Sequence, residues 1–450
     1  MDDSMSPGRV KRAKSKRSVK GVKRARPASS RKVRTDRPVF FLMGIVLLVS
    51  IAQLLVLGAR AGEGRPLLWT DLWPYGLWLM STVAVVLTAK LARLRGSGSL
   101  LAGIFLLSGL GVVVRSRMSG MSAGVTDMHV LIQPAGFSLL VVSWLIFRRG
   151  RAQWLRPFWG IALLLMLGLA AGMLLLGARY RGGLYAPGGI TPTELLKLFS
   201  IVGLAGFFSR PMSRWEERGV LRPPPGDTLF LLGVWSALAV MLALHRDVGL
   251  FLLLSATALV MLICVTRRLS WGLGALGMLA GGIWAIPRFF PHGARRFEAF
   301  LDPFSDPTGS GWQVLQGLTG MYAGGLLGMG LGAGRPERLP IASSDFVYAV
   351  YAEDTGYVGS VLLLLLFAGI FRCGVRIIRA QETLYERLLA AGLLSSLAVQ
   401  TLVNIGGVVN LLPVTGIPLP YISQGGSSYW VTSLHFGLLL ALSDRKALST

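Results

Sequence analysis

The feature that most constrains the fold of this chain is a series of long apolar segments separated by short basic loops. Each segment carries few charges and is about 18 residues or longer, enough for a helix to cross the hydrocarbon core of a bilayer. The chain is 53% hydrophobic and only 15% charged, and a soluble protein of 450 residues would need more polar surface to cover its core. We therefore predict an all-α polytopic membrane protein. The twelve segments are 39–59, 73–93, 97–115, 130–148, 156–178, 190–208, 227–244, 248–266, 270–290, 343–371, 387–410 and 420–443.

The N-terminal tail, residues 1–37, is the most basic part of the chain. Fourteen of its residues are Lys or Arg against three Asp, which supplies +11 of the total formal charge of +25. The tail is low in complexity and has no apolar face, so we expect it to be disordered. Its charge fits an orientation signal and attraction to anionic membrane lipids better than binding to nucleic acid.

The basic loops predict the topology. Arginine and lysine are concentrated in alternate loops, on the same side as the tail, and the positive-inside rule makes that side cytoplasmic. The even number of segments puts both termini there and puts the long loop 291–342 outside. We divide the chain into the tail, an N-terminal helix pair over 38–96 and a membrane core over 97–450.

That outer loop is the longest interruption of the apolar pattern. From Arg295 to Asp345 it holds two Asp-Pro pairs, together with too many aromatic and aliphatic side chains to stay solvated. A loop of this length that is not disordered is usually functional. Its Asp306 begins an Asp-Pro-Thr-Gly stretch and is, on spacing alone, most simply an Asx-turn residue.

Ionisable residues inside the apolar segments are a second group of candidates, because charges at membrane depth are costly and usually face an interior cavity. Glu194 and Lys197 share one helix face, which predicts either a self-neutralising ion pair or a charged floor for an anionic substrate. Asp247 lies at a hairpin between two segments, where a helix cap is the simplest interpretation. Glu353 and Asp354 have no local partner, which favours interior pairing or a functional role.

The stretch 412–428 is rich in proline and glycine and predicts a rigid, helix-free re-entry. Such backbone is tolerated at membrane depth only where it is buried in protein or lines a cavity. Pro418 belongs to its proline run, and Gly425, Gly426 and Ser427 lie near its end. Their successive N–H groups beside a helix start suit an anion cradle.

Five motifs together make the chain similar to the SEDS family of membrane proteins (shape, elongation, division and sporulation; the RodA and FtsW type). In order they are Pro192 to Lys197, Arg246 to Leu250, Phe300 to Pro303 with Asp306 to Gln313, Asp345 to Ala349 with Glu353 to Gly356, and Leu412 to Pro420 with Ser423 to Ser428. The resemblance covers about 97–445 and implies a core of ten of the twelve helices. The segments 39–59 and 73–93 would be an added N-terminal pair.

The resemblance implies a peptidoglycan glycosyltransferase that polymerises lipid II at the outer face of the bacterial cytoplasmic membrane, for cell division or cell shape. Asp306 would be the general base for the acceptor hydroxyl. Arg296 and Lys197 would contact the diphosphate leaving group, with Glu194 orienting Lys197 and Gln313 also binding substrate. Supporting roles in the core would fall to Asp247, Glu353, Pro418, Gly425, Gly426 and Ser427.

The implied partners are lipid II, membrane lipids and a class B penicillin-binding protein that supplies the crosslinking activity. The two cysteines and four histidines are too scattered to indicate a disulfide or a metal site. A divalent cation shared with the diphosphate is an open alternative, but no ligand cluster demands it.

Two other functions fit parts of the pattern. Many helices, intramembrane acids and a broken re-entrant segment also suit a flippase for a lipid-linked precursor. Substitutions within the family motifs leave room for a non-catalytic scaffold that supports a transpeptidase. A lipid II polymerisation assay separates the three.

Overall fold

The computed structural model describes residues 38–62, 71–118, 128–180, 183–185, 191–210, 225–267, 277, 291–339 and 344–444. The tail 1–37 and nearly all of the segment 270–290 lie outside these residues. The described helices are α1 (Pro38–Gly62), α2 (Trp73–Leu91), α3 (Gly98–Met118), α4 (Met128–Phe147), α5 (Trp159–Leu176), α6 (Leu195–Phe208), α7 (Pro225–Leu244), α8 (Val248–Thr266), α9 (Pro291–Leu301), α10 (Trp312–Gly324), α11 (Val347–Arg379), α12 (Leu384–Val408) and α13 (Gly426–Ser443).

The fold is helical, as the apolar pattern predicts. The only strands in the described ranges are β1 (Ala178–Tyr180) and β2 (Gly183–Tyr185), a short antiparallel hairpin after α5. A bilayer offers no hydrogen-bond partners to the backbone, so apolar segments that enter it must satisfy their own N–H and C=O groups as helices. The prediction of an all-α membrane protein is confirmed.

Eight helices among the described residues are long and apolar enough to cross a membrane, and Leu131–Phe147 within α4 is a shorter apolar helix. α6 has only 14 residues, and the predicted span 270–290 falls in the part that is not described. The count of twelve spans therefore stays a prediction.

Two helix boundaries differ most from the apolar segments. α11 runs on to Arg379, eight residues past the predicted end, because arginine is a good helix former and its long side chain can reach out of the apolar layer. The last helix begins at Gly426 rather than at residue 420. The residues before it, 409–425, contain no helix, as predicted for most of the stretch 412–428.

Small residues let the helices approach closely. A side-chain carbon at Gly437 of α13 would lie 2.0 Å from the Ser143 hydroxyl of α4, and one at Gly136 of α4 would lie 2.5 Å from the Tyr429 ring. Helices in membranes associate through such close packing, because lipid tails give them no hydrophobic drive to pair. The α4–α13 contact is therefore close both near the start of α13 and near its end.

The N-terminal helix pair is packed into the main core. Val49 of α1 and Trp78 of α2 are fully buried, and Trp78 Nε1 donates a 3.0 Å hydrogen bond to Ser108 Oγ of α3. A side-chain carbon at Gly109 would lie 2.6 Å from Val49 and 2.9 Å from Trp78. Both helices therefore rest on the same small-residue face of α3.

Candidate functional site

The start of α6 contributes a buried ion pair to the candidate site. Lys197 is 2% exposed and forms an ion pair with Glu194, and its Nζ donates a 2.9 Å hydrogen bond to Gln400 Oε1 of α12. A buried ammonium group is tolerated only when it is paired in this way. The ion pair expected from the i,i+3 spacing is present, and the lysine is directed at protein groups rather than at open space.

Two amides of α12 hold the re-entrant segment, residues 409–425, in place. Gln400 Nε2 donates to the Pro418 carbonyl at 2.8 Å. Asn404 Nδ2 donates to the carbonyls of Asp345 and Ile417 at 2.9 and 2.8 Å. A helix-free segment satisfies only part of its backbone internally, and these side chains supply donors for the Ile417 and Pro418 carbonyls.

Asp247, Asp345 and Arg296 are brought together from distant parts of the chain. Asp247 caps α8, where its Oδ1 accepts a 2.9 Å hydrogen bond from Leu250 N, as predicted for a hairpin aspartate. Arg296 of α9 donates through Nη1 to the Val414 carbonyl at 3.1 Å. A side-chain carbon at Gly416, where φ is +80°, would lie 3.6 Å from Asp345 Oδ2 and 3.8 Å from both Arg296 Nη atoms.

The two carboxyl groups share one electrostatic environment. Burial raises the pKa of Asp247, opposed by the Leu250 hydrogen bond, and the charge of Glu194 raises it further. Burial likewise raises the pKa of Asp345, opposed by a Ser344 hydrogen bond. The positive charge of Arg296 lowers the pKa of both. Asp247 and Asp345 thus form an acidic recess, and the exposed guanidinium group of Arg296 acts on both of them.

The glycine–serine stretch ends the re-entrant segment. Ser427 Oγ accepts a 2.9 Å hydrogen bond from Thr191 N, which ties the start of α13 to the start of α6. Gly425 is the N-cap residue of α13 and has no side chain with which to cap it. Gly426 is the first residue of that helix, so the first-turn N–H groups are left for other acceptors.

Asp306 lies at the tip of the turn between α9 and α10 and is exposed. Its Oδ2 accepts hydrogen bonds from Ser310 N at 2.8 Å and Ser310 Oγ at 3.2 Å. These bonds lower the pKa of Asp306, so the carboxylate is ionised at neutral pH. A side-chain carbon at Gly309 would lie 2.3 Å from Oδ2, so glycine there allows the carboxylate to fold over its own turn.

The long loop that contains α9 and α10 is anchored to α11 through the two adjacent acids, Glu353 and Asp354. Glu353 Oε1 accepts from Arg335 N at 3.1 Å, and both carboxylate oxygens of Asp354 accept from the backbone at Gly332 and Gly334, at 3.1 and 2.9 Å. Glu353 is 5% exposed and Asp354 7% exposed. These contacts fit the structural role predicted for Glu353.

Gln313 lies in the first turn of α10 and is half-buried. It stands directly after the Asp306 turn in the chain. In the parts of the chain that are described, no group of three or more His, Cys, Asp or Glu side chains is placed to hold a metal ion.

Comparison with known protein sequences identifies the family of this chain. Residues 94–448 match the sequence profile of the FtsW/RodA/SpoVE family of cell cycle proteins. The peptidoglycan glycosyltransferase RodA of Mycobacterium tuberculosis is 31% identical over 425 residues, covering 89% of each chain. The chain belongs to the FtsW/RodA/SpoVE family.

Other members and one solved structure agree. A probable peptidoglycan glycosyltransferase FtsW of Aliivibrio salmonicida is 33% identical over 359 residues, covering 77% of this chain and 86% of its own. A chain from a structure described as a peptidoglycan synthase complex that coordinates polymerization and crosslinking superposes with a TM-score of 0.60 at 28% identity. That match covers 79% of this chain and 99% of the other.

The family profile and the relative differ in how much of the N-terminal part they cover. The family profile begins at residue 94, directly after α2, close to the predicted boundary between the helix pair and the core. The M. tuberculosis relative covers a larger share of the chain than residues 94–448 do, so that alignment extends into the N-terminal part.

Three residues of the site were not among the sequence-predicted site residues. Asp345 begins a family motif for which the sequence predicts no role at this residue, and its proximity to Arg296 depends on the course of the re-entrant segment. Gln400 and Asn404 lie on one face of α12, and uncharged amides in an apolar helix are a weak signal in sequence. Only the three-dimensional contacts show that these amides hold the re-entrant segment in place.

Proposed function

We propose that this protein is a peptidoglycan glycosyltransferase that polymerises lipid II at the outer face of the bacterial cytoplasmic membrane. The observation that carries the proposal is Asp306, an exposed carboxylate kept ionised by its own turn. That turn directly follows α9, which carries Arg296 at the edge of the acidic recess. Relatives named as peptidoglycan glycosyltransferases support the same reaction.

The reaction is a displacement at an anomeric carbon. The acceptor hydroxyl transfers its proton to the Asp306 carboxylate as its oxygen forms the new glycosidic bond. The bond between the donor's anomeric carbon and its diphosphate oxygen breaks, and the electron pair leaves with the diphosphate. Arg296 stabilises the negative charge on that leaving group. A single displacement inverts the anomeric centre and needs no second carboxylic acid.

Lys197 positions other residues of the site and does not contact the diphosphate. Its ammonium group is occupied by Glu194 and by Gln400, and the other end of Gln400 holds the Pro418 carbonyl. The chain of contacts runs from α6 through α12 to the re-entrant segment. We therefore assign Lys197, Glu194 and Gln400 as positioning residues.

A membrane-anchored transpeptidase of the class B penicillin-binding type is the proposed partner. The structural neighbour comes from a complex described as coordinating polymerization with crosslinking. Glycan strands from the proposed reaction need crosslinking, which favours such an association.

The test is glycan synthesis by the purified full chain in lipid vesicles containing lipid II. We expect polymer from the wild type and none from Asp306→Asn, with equal amounts of folded protein in the membrane. Polymer formation at the wild-type rate by Asp306→Asn would overturn the assignment of the base.

The same vesicles separate the proposal from lipid transport. If the wild type moves lipid II across the bilayer without forming polymer, and Asp306→Asn does so equally well, the protein is a flippase. If neither activity occurs unless a transpeptidase is present, and Asp306 is dispensable, it is a scaffold.

A further inference from the structure

The N-terminal helix pair, α1 and α2, touches the long loop that contains α9 and α10. Gly332 of that loop has φ +87°, and a side-chain carbon there would lie 3.0 Å from Ala59 Cβ and 3.1 Å from Val56 Cα of α1. A contact this close leaves no room for a side chain between the loop and the helix backbone. Val56 is 1% exposed and Ala59 is half-buried. The loop therefore rests on a helix that lies outside the family profile, which begins at residue 94.

Two other helices hold the same turn of the loop, residues 331–334. Asp354 of α11 accepts hydrogen bonds from Gly332 N and Gly334 N at 3.1 and 2.9 Å. Arg117 of α3 is 1% exposed and donates to the Gly334 carbonyl. Because Asp354 is only 7% exposed, moving the turn would deprive a buried carboxylate of two hydrogen-bond donors, which is costly. The turn is thus held between α1, α3 and α11.

A buried polar network fixes α1 against α3 beside this turn. Arg60 of α1 is 5% exposed, forms a 3.0 Å ion pair with Asp71 just before α2, and donates to the Ser116 carbonyl at 3.4 Å. Ser116 Oγ in turn donates to Gln53 Oε1 of α1 at 3.1 Å. Anchoring in lipid needs only apolar surface, whereas buried polar and charged groups are costly and are best attested where they set register. Ser116 directly precedes Arg117, so the network sets the register of α1 next to a residue that holds the loop.

The turn 331–334 shares its support with the part of the loop that carries Asp306. α10 starts directly after the Asp306 turn, where Gly311 N donates to the Asp306 carbonyl at 3.0 Å. It ends at Gly324, where a side-chain carbon would lie 2.5 Å from the Ala352 carbonyl of α11. Ala352 lies just before Asp354 on the same helix, so α10 and the turn 331–334 rest on one stretch of α11. A shift of that turn would therefore reach α10 and the base at its start.

We propose that the N-terminal helix pair is a positioning element for Asp306. Ala59 holds the turn 331–334 by direct contact, and Arg60 and Asp71 keep that contact in register. All three are positioning residues, since they act on the base through the loop. The inference rests on the proposed function for its catalytic consequence, whereas the hold on the loop is measurable without any reaction. It follows that the region matched by the family profile needs the added pair to reach its full rate in this chain.

The first test enlarges the side chain at the contact. Ala59→Leu adds three carbons where Gly332 leaves no space, so the turn must move. Ala61→Leu is the matched control, because Ala61 lies on the same helix and is exposed. Backbone hydrogen exchange is measured on the full-length protein in lipid nanodiscs. Exchange over residues 327–334 should rise by about tenfold or more in Ala59→Leu and stay unchanged in Ala61→Leu, and exchange over α5 and α7 should stay unchanged in both.

The second test removes the ion pair without leaving a charge behind. Arg60→Met combined with Asp71→Asn abolishes the pair, and it should raise hydrogen exchange over residues 327–334 as well. Arg210→Met combined with Asp227→Asn is the control, since this pair, with Arg210 Nη2 2.7 Å from Asp227 Oδ1, joins the end of α6 to α7. The control should leave exchange over residues 327–334 unchanged.

The kinetic test separates positioning from loss of the fold. In vesicles containing lipid II, Ala59→Leu should lower kcat by about 10- to 100-fold and leave KM within about twofold, because a displaced base slows the chemical step and not substrate binding. Ala59→Ser, which keeps a small side chain, should retain the wild-type rate. A merely structural role would instead raise hydrogen exchange throughout the helices and lower the thermal unfolding midpoint, with kcat per folded protein unchanged.

The outcomes separate this inference from the proposed function. Unchanged hydrogen exchange over residues 327–334 in Ala59→Leu overturns the hold on the loop, whether or not polymer forms. Raised exchange with a wild-type kcat overturns the positioning role and leaves the transferase proposal standing. If the wild type makes no polymer, the proposed function fails and the positioning role with it, while the exchange result still decides whether α1 holds the loop.

Discussion

At the scale of single residues, Asp306 is both exposed and held by its own turn. Its carboxylate is exposed, yet it is held in one position by the Ser310 N–H and O–H groups. The Asx-type turn expected from the sequence is therefore compatible with a catalytic role, because the residue stays exposed while the turn holds its carboxylate. An ionised base of low pKa accepts a proton weakly, but it is never blocked by protonation at neutral pH.

Ser310→Ala tests this reading through the pH dependence of the reaction. Losing the O–H donor raises the pKa of Asp306 towards its ordinary value, since a hydrogen bond to the charged form is removed. The acid limb of kcat/KM should move to higher pH, while the rate at neutral pH stays the same or rises slightly because the base becomes stronger. Ser305→Ala, in the same turn but bonded to the Asp302 carbonyl, should leave the limb in place. An unchanged acid limb in Ser310→Ala would contradict the assignment.

The Glu194–Lys197 pair makes a separate prediction about stability. Glu194→Gln leaves a buried ammonium group without its counter-charge, which should cost about 3–5 kcal/mol of unfolding free energy. The double variant Glu194→Gln with Lys197→Met removes both charges and should recover most of that loss. Thermal unfolding in detergent measures both. A double variant no more stable than Glu194→Gln would show that the pair is not a coupled unit.

At the scale of elements, the break in α11 connects the long loop that contains α9 and α10 to the membrane core. Gly356 has φ +67° and interrupts the helix, and the freed backbone pairs with the loop, as Tyr357 N and Val358 N donate to the Gly325 and Leu326 carbonyls. The loop in turn donates to the helix, since Met329 N and Gly330 N bond the backbone carbonyls of Glu353 and Asp354. Backbone hydrogen bonds in both directions therefore join the loop to α11, in the way that two paired strands are joined.

Gly356→Ala should disrupt this junction. Alanine is strained at this φ, and its side-chain carbon would lie 2.3 Å from Gly328 N, which is backbone and cannot move aside cheaply. We expect a loss of about 2–4 kcal/mol in unfolding free energy and reduced polymer formation. Gly369→Ala, in the same helix with nothing nearby, is the control and should be neutral or slightly stabilising. Equal stability of the two variants would argue against a rigid junction.

At the scale of the whole molecule, the sequence predicts the class of fold better than the site. Apolar length and charge asymmetry are properties of contiguous stretches, so the helices and the helix-free segment 409–425 can be predicted from the chain itself. The recess formed by Asp247, Arg296 and Asp345 cannot, because it depends on where that segment turns. Lys197 could be recognised as paired, but its bond to Gln400 spans two helices and leaves no local pattern.

The central claim is that Asp306 is the base of a lipid II polymerase. A comparison with Asp302, in the same turn, tests this claim most directly. Asp302 is also exposed, and its carboxylate likewise bonds a backbone amide, that of Phe304 at 3.0 Å. The measurement is the initial rate of glycan formation by Asp306→Asn and Asp302→Asn in vesicles. The account predicts a loss of about 100-fold or more for Asp306→Asn and a change within a few-fold for Asp302→Asn. Equal losses, or a greater loss for Asp302→Asn, would contradict it.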